Sequence, residues 1–249
     1  MAVQTADAIV LRQYAFRETS VVISCLTDQF GKIKGLIKGL RGARTRYRSP
    51  MEPLTLNRIV FYETHHSSLH LVSQCELLGG FDSLVQDLGA IRLAASCAEL
   101  VDVLVEPDEP QPLIFALLHS TLARLSGNPS ELLISRIHFI LRLLRLVGFQ
   151  PQLDECAGCG RPPEGRRGFW SPKQGGLLCE RCLHHDPHAE LMEPRQLEGL
   201  SRSAESDHPH PLELRDAAAI QQRLDEFLRW RLDRPLKTMR YAAAAAAGG

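Results

Sequence analysis

The chain has 249 residues, 29 Lys/Arg balanced by 29 Asp/Glu, and 44% hydrophobic residues. That length suits one large domain or two to three small ones with a real core, and the proportions are those of a globular protein. Zero net charge singles out no partner, and the absence of any run of about eighteen apolar residues excludes a membrane-spanning helix.

The charge is unevenly placed. Residues 1–80 carry ten basic and six acidic side chains, residues 81–150 five and eight, and residues 151–249 fourteen and fifteen. Positive charge is therefore concentrated at the N-terminal end. Met1 to Val10 lacks the basic segment and apolar run of a signal peptide, so a cytoplasmic location is expected. Of seven cysteines, three are scattered (Cys25, Cys75, Cys97) and four are clustered. In a reducing compartment that distribution reads as metal ligands plus buried thiols.

In chain order, the first 80 residues read as five short strands. They are Ala8–Leu11, the β-branched run Thr19–Thr27, Gly31–Gly39, Arg58–Thr64 and Ser68–Cys75. Asp28-Gln29-Phe30-Gly31 supplies a turn. So many short strands in so little chain predict a small β-barrel, and the oligonucleotide-binding (OB) fold is the natural candidate. From Ser83 the pattern becomes helical to Val105 and is broken by Glu106-Pro107-Asp108-Glu109-Pro110. A second helix is predicted over 111–126. A third follows over 131–147, with Ser130 as N-cap and with apolar residues almost all round, as for a buried helix. Residues 151–192, rich in Gly, Pro, Cys and His, read as a loop-rich module without a core of its own. Helix returns at 193–199 and 212–232. The Ala/Gly run over 241–249 reads as a disordered tail.

The strongest motif is Cys156-x₂-Cys159 followed by Cys179-x₂-Cys182, with 19 residues between the pairs. A CxxC on a tight turn presents two thiolates to one ion, and two such knuckles complete a tetrahedral zinc site. Four sulfurs leave no open position for water, so the predicted Zn2+ is structural and not catalytic. His184, His185 and His188 lie nearby, but His188-Ala189-Glu190 follows the second CxxC, whereas in zinc deaminases the H-x-E precedes it. These histidines read as a solvated loop. No phosphate-binding loop, nucleophile elbow or H-E-x-x-H is present, so no enzymatic activity is expected.

The second motif is a basic run without an acid: Lys32, Lys34, Lys38, Arg41, Arg44, Arg46 and Arg48. Glycines make it flexible, and Tyr47 adds a ring for stacking. On a barrel loop this is a phosphate-tracking surface. An ordinary edge strand guarded by lysines accounts for Lys32 and Lys34, but less well for Arg41 to Arg48.

In this order the pieces resemble the RecO family of bacterial DNA repair proteins. The residues that carry the resemblance are Ala8–Leu11 with Glu18-Thr19-Ser20, Leu26-Thr27, Gly31-Lys32, Lys38-Gly39-Leu40-Arg41 and Glu52-Pro53-Leu54. They continue through Leu143-Leu144, Gly148-Phe149-Gln150-Pro151, the four cysteines with Gly175–Leu178, and Arg234–Arg240. The chain departs from the family at Lys237-Thr238-Met239-Arg240, where relatives usually carry Lys-Ser-Arg.

The resemblance implies an α+β multidomain chain with an N-terminal OB-fold barrel over 1–80, an all-helical domain over 81–150 and 193–240, and an inserted zinc finger over 151–192. It implies a recombination mediator that binds single- and double-stranded DNA, anneals complementary strands, and acts with RecR and single-stranded-DNA-binding protein to help load RecA. It also implies a partner groove in the helical domain, where Arg124, Arg136, Arg142 and Arg145 could hold an acidic, apolar peptide tail. Two other readings stay open. One is a zinc-dependent nucleic-acid hydrolase, and the other is a zinc-ribbon transcription or translation factor.

Overall fold

The computed structural model describes residues 2–42, 47–64, 68–162, 168–232 and 236–238. The chain is a mixed α+β protein that divides into two compact units, Met1–Pro129 and Ser130–Gly249. None of the described helices is long and apolar enough to cross a membrane.

The first unit begins with strands β1 (Val3–Phe16), β2 (Ser20–Thr27), β3 (Gly31–Ile37), β4 (Thr55–Tyr62) and β5 (Leu69–Gly80). They close into a barrel in the order β1-β2-β3-β5-β4. All neighbours are antiparallel except β3 and β5, which pair in parallel over Lys34–Leu36 and Leu69–Leu71. Alternate residues fill the interior: Ala6, Ala8 and Val10 from β1, Val21, Ile23 and Cys25 from β2, Ile33 and Ile37 from β3, with Ile59, Phe61, Val72 and Cys75 closing it. This is the period of two expected of a strand with one buried face. Gly35 takes an inward position without a side chain, because a Cβ there would lie 2.6 Å from Val72 Cγ2. Burial pushes the Cys25 thiol up to about 12 and that of Cys75 up to about 11, as suits inert core thiols.

A bulge in β1 changes its parity. Val10 pairs with Cys25 and points inward, but the register shifts before Arg12, which pairs with outward-facing Ser24. Without the extra residue, Arg12 would follow Val10 into the core. Instead it meets helix α1 (Leu88–Leu104), which packs on β1 and β2. Arg12 Nε lies 2.9 Å from Asp102 Oδ2 and Arg12 Nη2 lies 3.1 Å from Glu99 Oε1. Ser24 Oγ donates to Asp102 Oδ1 at 2.6 Å, and Lys32 Nζ donates to the Asp102 carbonyl at 2.7 Å. Around this polar lock, Ile9 and Leu26 pair on the outer face and are fully buried where α1 and α2 (Pro112–Leu125) cover the barrel.

Helix α1 starts later than its periodicity predicts. Residues 82–86 form a 3₁₀ turn, and Asp87 then caps α1 by accepting from the backbone NH groups of Gly89 and Ala90. The predicted break at 106–110 is present, and Pro107 bridges to Lys32 of β3. Sequence pattern grouped these two helices with the later ones, whereas here they lie in the same compact unit as the barrel.

The second unit is built on α3 (Leu132–Leu146), flanked by α4 (Pro194–Glu205) and α5 (Leu214–Arg231). Nine residues of α3 are buried, in keeping with its nearly all-round apolar sequence. Ser130 does not cap it: Ser130 sits in a 3₁₀ turn over Pro129–Glu131, and Glu131 occupies the cap position without a side-chain bond. Between α3 and α4 the cysteine-bearing module forms a small sheet of β6 (Phe169–Ser171), β7 (Gly176–Leu178) and β8 (Glu190–Leu191) in the order β7-β6-β8. The module shares a core with the helices, because Trp170 is buried against Phe227 of α5 with ring centroids 5.8 Å apart. The 241–249 tail lies outside the described residues.

Asp102→Ala should strip Arg12, Ser24 and α1 of their common acceptor. Because Arg12 and Asp102 are only partly exposed, the loss should be about 2 kcal/mol, below the roughly 3–5 kcal/mol of a fully buried pair. Urea denaturation should show a lower midpoint with an unchanged slope.

Candidate nucleic-acid interface and metal centre

The two CxxC turns are brought together by β6 and β7. Cys156 and Cys159 lie on the approach to β6, Cys179 directly follows β7, and Cys182 sits in the 3₁₀ turn Glu180–His185. All four Sγ atoms lie within 4.8 Å of one another, and Cys159 Sγ is 3.9 Å from Cys179 Sγ. Sulfurs at the corners of a tetrahedron with bonds of about 2.3 Å would be roughly 3.8 Å apart. The spacing therefore fits one ion held by four thiolates. Buried Leu178 and half-buried Phe169, Ala157 and Ala189 pack against the cluster.

The backbone prepares the site for negative charge. Gly158 N donates to Cys156 Sγ at 3.4 Å and Cys179 N at 3.2 Å. Burial raises the Cys156 thiol, but the NH groups of Cys179, Gly158 and Cys159 outweigh it and bring it down to about 6. Cys182 is pushed up to about 12, by desolvation first and then by its hydrogen bonds to the other cysteines. Among the described residues no histidine joins the cluster. His184, His185 and His188 are exposed, and His184 Nδ1 lies 2.9 Å from the Arg181 carbonyl oxygen.

The basic run separates into distinct environments. Lys32 is only 9% exposed, with its amino group on α1. Lys34, Lys38 and Arg41 are exposed. The Arg41 backbone NH donates to Thr19 O at 2.9 Å, which places it beside the β1–β2 turn. Arg48 is exposed and lies 3.5 Å from Glu76. Arg44 and Arg46 lie outside the described residues.

Lys38, Tyr47 and Arg48 join residues that are distant in sequence to line a groove of about 770 Å³ on the barrel, with Arg58 and Tyr62 of β4 and Leu71 of β5. Tyr47 Oη donates to the Lys38 carbonyl at 3.1 Å, and Arg58 grips Asp7 with two hydrogen bonds of 2.8 and 3.1 Å. Sequence reasoning did not single out Arg58 or Tyr62. Their signal is the outward parity of β4, which appears only once the register of the barrel is known.

The four arginines proposed for a peptide groove are also spread. Arg124 lies on α2 in the first unit, with Nη2 3.4 Å from Ser120 Oγ. Arg136, Arg142 and Arg145 lie on α3 in the second unit. Arg136 is 3% exposed and pairs with Asp225 at 3.0 Å. Arg142 pairs with Asp207 at 2.9 Å, and Arg145 Nη1 lies 3.4 Å from the Ala204 carbonyl.

Two family models match the chain. One, described as Recombination protein O N terminal, covers residues 1–81, and the other, Recombination protein O C terminal, covers residues 85–240. The chain is similar to a protein of Myxococcus xanthus named DNA repair protein RecO, with 32% identity over 95% of this chain and 96% of that one. It is 34% identical to a protein of the same name from Desulforudis audaxviator, over 96% of this chain and 84% of the relative. A Desulfitobacterium hafniense relative of that name is 31% identical over 73% of this chain, and the chain spans 65% of its length.

A Cβ at position 158 would lie 3.2 Å from Cys182 Sγ and from His185 Cδ2. Gly158→Ala should therefore displace the second knuckle and weaken metal retention by about tenfold, as changes to groups that orient ligands do. Competition with a chromophoric chelator measures this directly.

Proposed function

Since the chain belongs to the RecO family, we propose that it is a non-catalytic DNA-binding mediator of recombinational DNA repair, acting in the cytoplasm. The observation that carries this reading is the exposed cationic surface of the closed five-stranded barrel, with its tyrosine-lined groove. The strand order and the parallel β3–β5 closure support an OB-fold barrel, an architecture that binds oligonucleotides on its outer strands and loops. Lys34, Lys38, Arg41 and Arg48, with Arg44 and Arg46 of the same basic run, then contact phosphates, while Lys32 holds α1. Binding of this kind rests on counterion release and has no need of sequence recognition.

In this reading Cys156, Cys159, Cys179 and Cys182 hold one structural Zn2+. Four thiolates fill a tetrahedral shell and leave no place for a reacting water, which disfavours hydrolysis. The ion would tie two knuckles to a three-stranded sheet too small to persist alone. Annealing of complementary strands, action with RecR and single-stranded-DNA-binding protein, and help in loading RecA belong to the same proposal. An acidic partner tail would be met by Arg142 and Arg145 at the surface of α3, because Arg136 is buried against Asp225.

Freshly purified chain should contain about one equivalent of zinc by elemental analysis, and Cys179→Ser should fall below about half an equivalent with a lower melting temperature. For the DNA surface, changing Arg41, Arg44 and Arg46 together to Ala should flatten the plot of log affinity against log salt for a single strand by about 2, at roughly 0.7 per lost phosphate contact. An unchanged slope and affinity would place the surface elsewhere.

A further inference from the structure

The four sulfurs of the thiol cluster are not equally reachable. Cys156 is 2% exposed and Cys182 6%, whereas Cys159 is exposed and Cys179 half-buried. The difference follows from the local fold. Cys156 Sγ accepts from the backbone NH groups of Gly158 and Cys179, and buried Leu178 packs against the cluster. Cys182 Sγ lies so near Gly158 that a Cβ there would come within 3.2 Å of it. Cys159 ends the first knuckle and Cys179 opens the second. The two reachable sulfurs therefore come from different turns, and they lie 3.9 Å apart.

A cavity of about 480 Å³ opens onto this pair. Its wall includes Cys159 and Cys179 with Arg161, Glu180 and Arg181, and Cys156 is absent from its described lining residues. Two cations against one acid favour a departing anion there. A sulfur held as thiolate is the form that attacks a two-electron oxidant, and exposure decides which sulfur attacks first. Cys25, Cys75 and Cys97 are buried elsewhere, out of reach.

Building on the reading of the cluster as a zinc site, we propose that Cys159 is an oxidation site and Cys179 its resolving partner, through which a hydroperoxide exchanges the ion for a disulfide between the two knuckles. The Cys159 thiolate attacks one peroxide oxygen, the O–O bond breaks and hydroxide leaves, so that Cys159 becomes a sulfenic acid. The Cys179 thiolate attacks that sulfur, the S–O bond breaks and a second hydroxide leaves. Two thiolates have given up two electrons, the peroxide has taken them, and solvent protonates both hydroxides. Cys156 and Cys182 then offer only two of the four ligands that the shell needs. The disulfide keeps the knuckles joined, so a thiol reductant with fresh zinc reverses the change.

The test uses the zinc-loaded full chain, hydrogen peroxide and a chromophoric zinc chelator, followed by alkylation and peptide mass mapping. About one zinc should be released for each peroxide consumed, as the electron balance requires. Cys159 should be joined to Cys179, with Cys156 and Cys182 left open to alkylation. Dithiothreitol with zinc should restore the starting chain. Cys159→His keeps four ligands, in a three-cysteine, one-histidine set that zinc accepts. It should hold its metal at a peroxide concentration that empties the unmodified chain. Disulfides confined to one knuckle, Cys156 to Cys159 or Cys179 to Cys182, would overturn the proposal. So would oxidation of Cys25, Cys75 or Cys97 ahead of zinc release, or a Cys159→His chain emptied as fast as the unmodified one. If Cys159→His takes up no zinc, the mapping on the unmodified chain decides by itself. An unmodified chain that neither contains nor takes up zinc would instead remove the zinc reading on which the proposal rests.

Discussion

Closing five strands into a barrel forces every residue to one of two sides. The interior is filled by apolar side chains, so everything charged must go out, and each outward position must then be covered, solvated or used. The bulge after Val10 enforces this for Arg12. It converts an inward position into an outward one at the point where a helix arrives with two carboxylates. Lys32 and Lys34 lie two residues apart on the same face and differ only in what stands over them. One is under α1 and the other is open. The division of the outer surface into a covered half and a free half thus follows from where α1 ends its contact. Local sequence character does not decide it.

The polar lock also explains how a short helical pair stays on a barrel. Ile9 and Leu26 supply apolar burial of about 2 kcal/mol each, but apolar contact is nondirectional and would tolerate several helix positions. Asp102 accepts from Ser24 and Arg12 while its carbonyl accepts from Lys32. Three donors from three strands converge on one residue and fix the helix in register. The second unit uses the same division of labour. Trp170 against Phe227 supplies area, and four clustered sulfurs supply geometry.

Much of this is legible in the sequence where the determining contacts are local. β-branched runs mark the strands, and the cysteine spacing marks the thiol cluster, because two residues between ligands is a property of one turn. The basic run is visible as composition. Its division is not, since Lys32 differs from Lys34 only through a helix some seventy residues later. Tyr14, Tyr62 and Arg58 carry no signal of their own. Tyr62 and Arg58 come to line one groove with Lys38 through barrel closure, and Tyr14 is turned outward by the bulge; neither can be read from residue type. The start of α1 differs from the apolar pattern because Asp87 caps the helix while that pattern continues upstream into a 3₁₀ turn. The 151–192 module reads as coreless because the partner of its Trp170, Phe227, lies on a distant helix.

The lock at Asp102 has a consequence for how the chain comes into being. Synthesis proceeds from the N-terminus, and domains tend to fold as their residues emerge from the ribosome. β1 cannot complete its pairing until β4 is made, and the parallel contact of β3 with β5 waits longer still, a topology of slow, nonlocal closure. Even after closure, the Ile9–Leu26 patch stays wet until α1 has emerged as far as Asp102. A nascent barrel therefore passes through an interval with an apolar face uncovered beside a row of cations. During that interval the face that the finished protein hides under α1 is continuous with the face it leaves open. Only the arrival of one carboxylate separates the two.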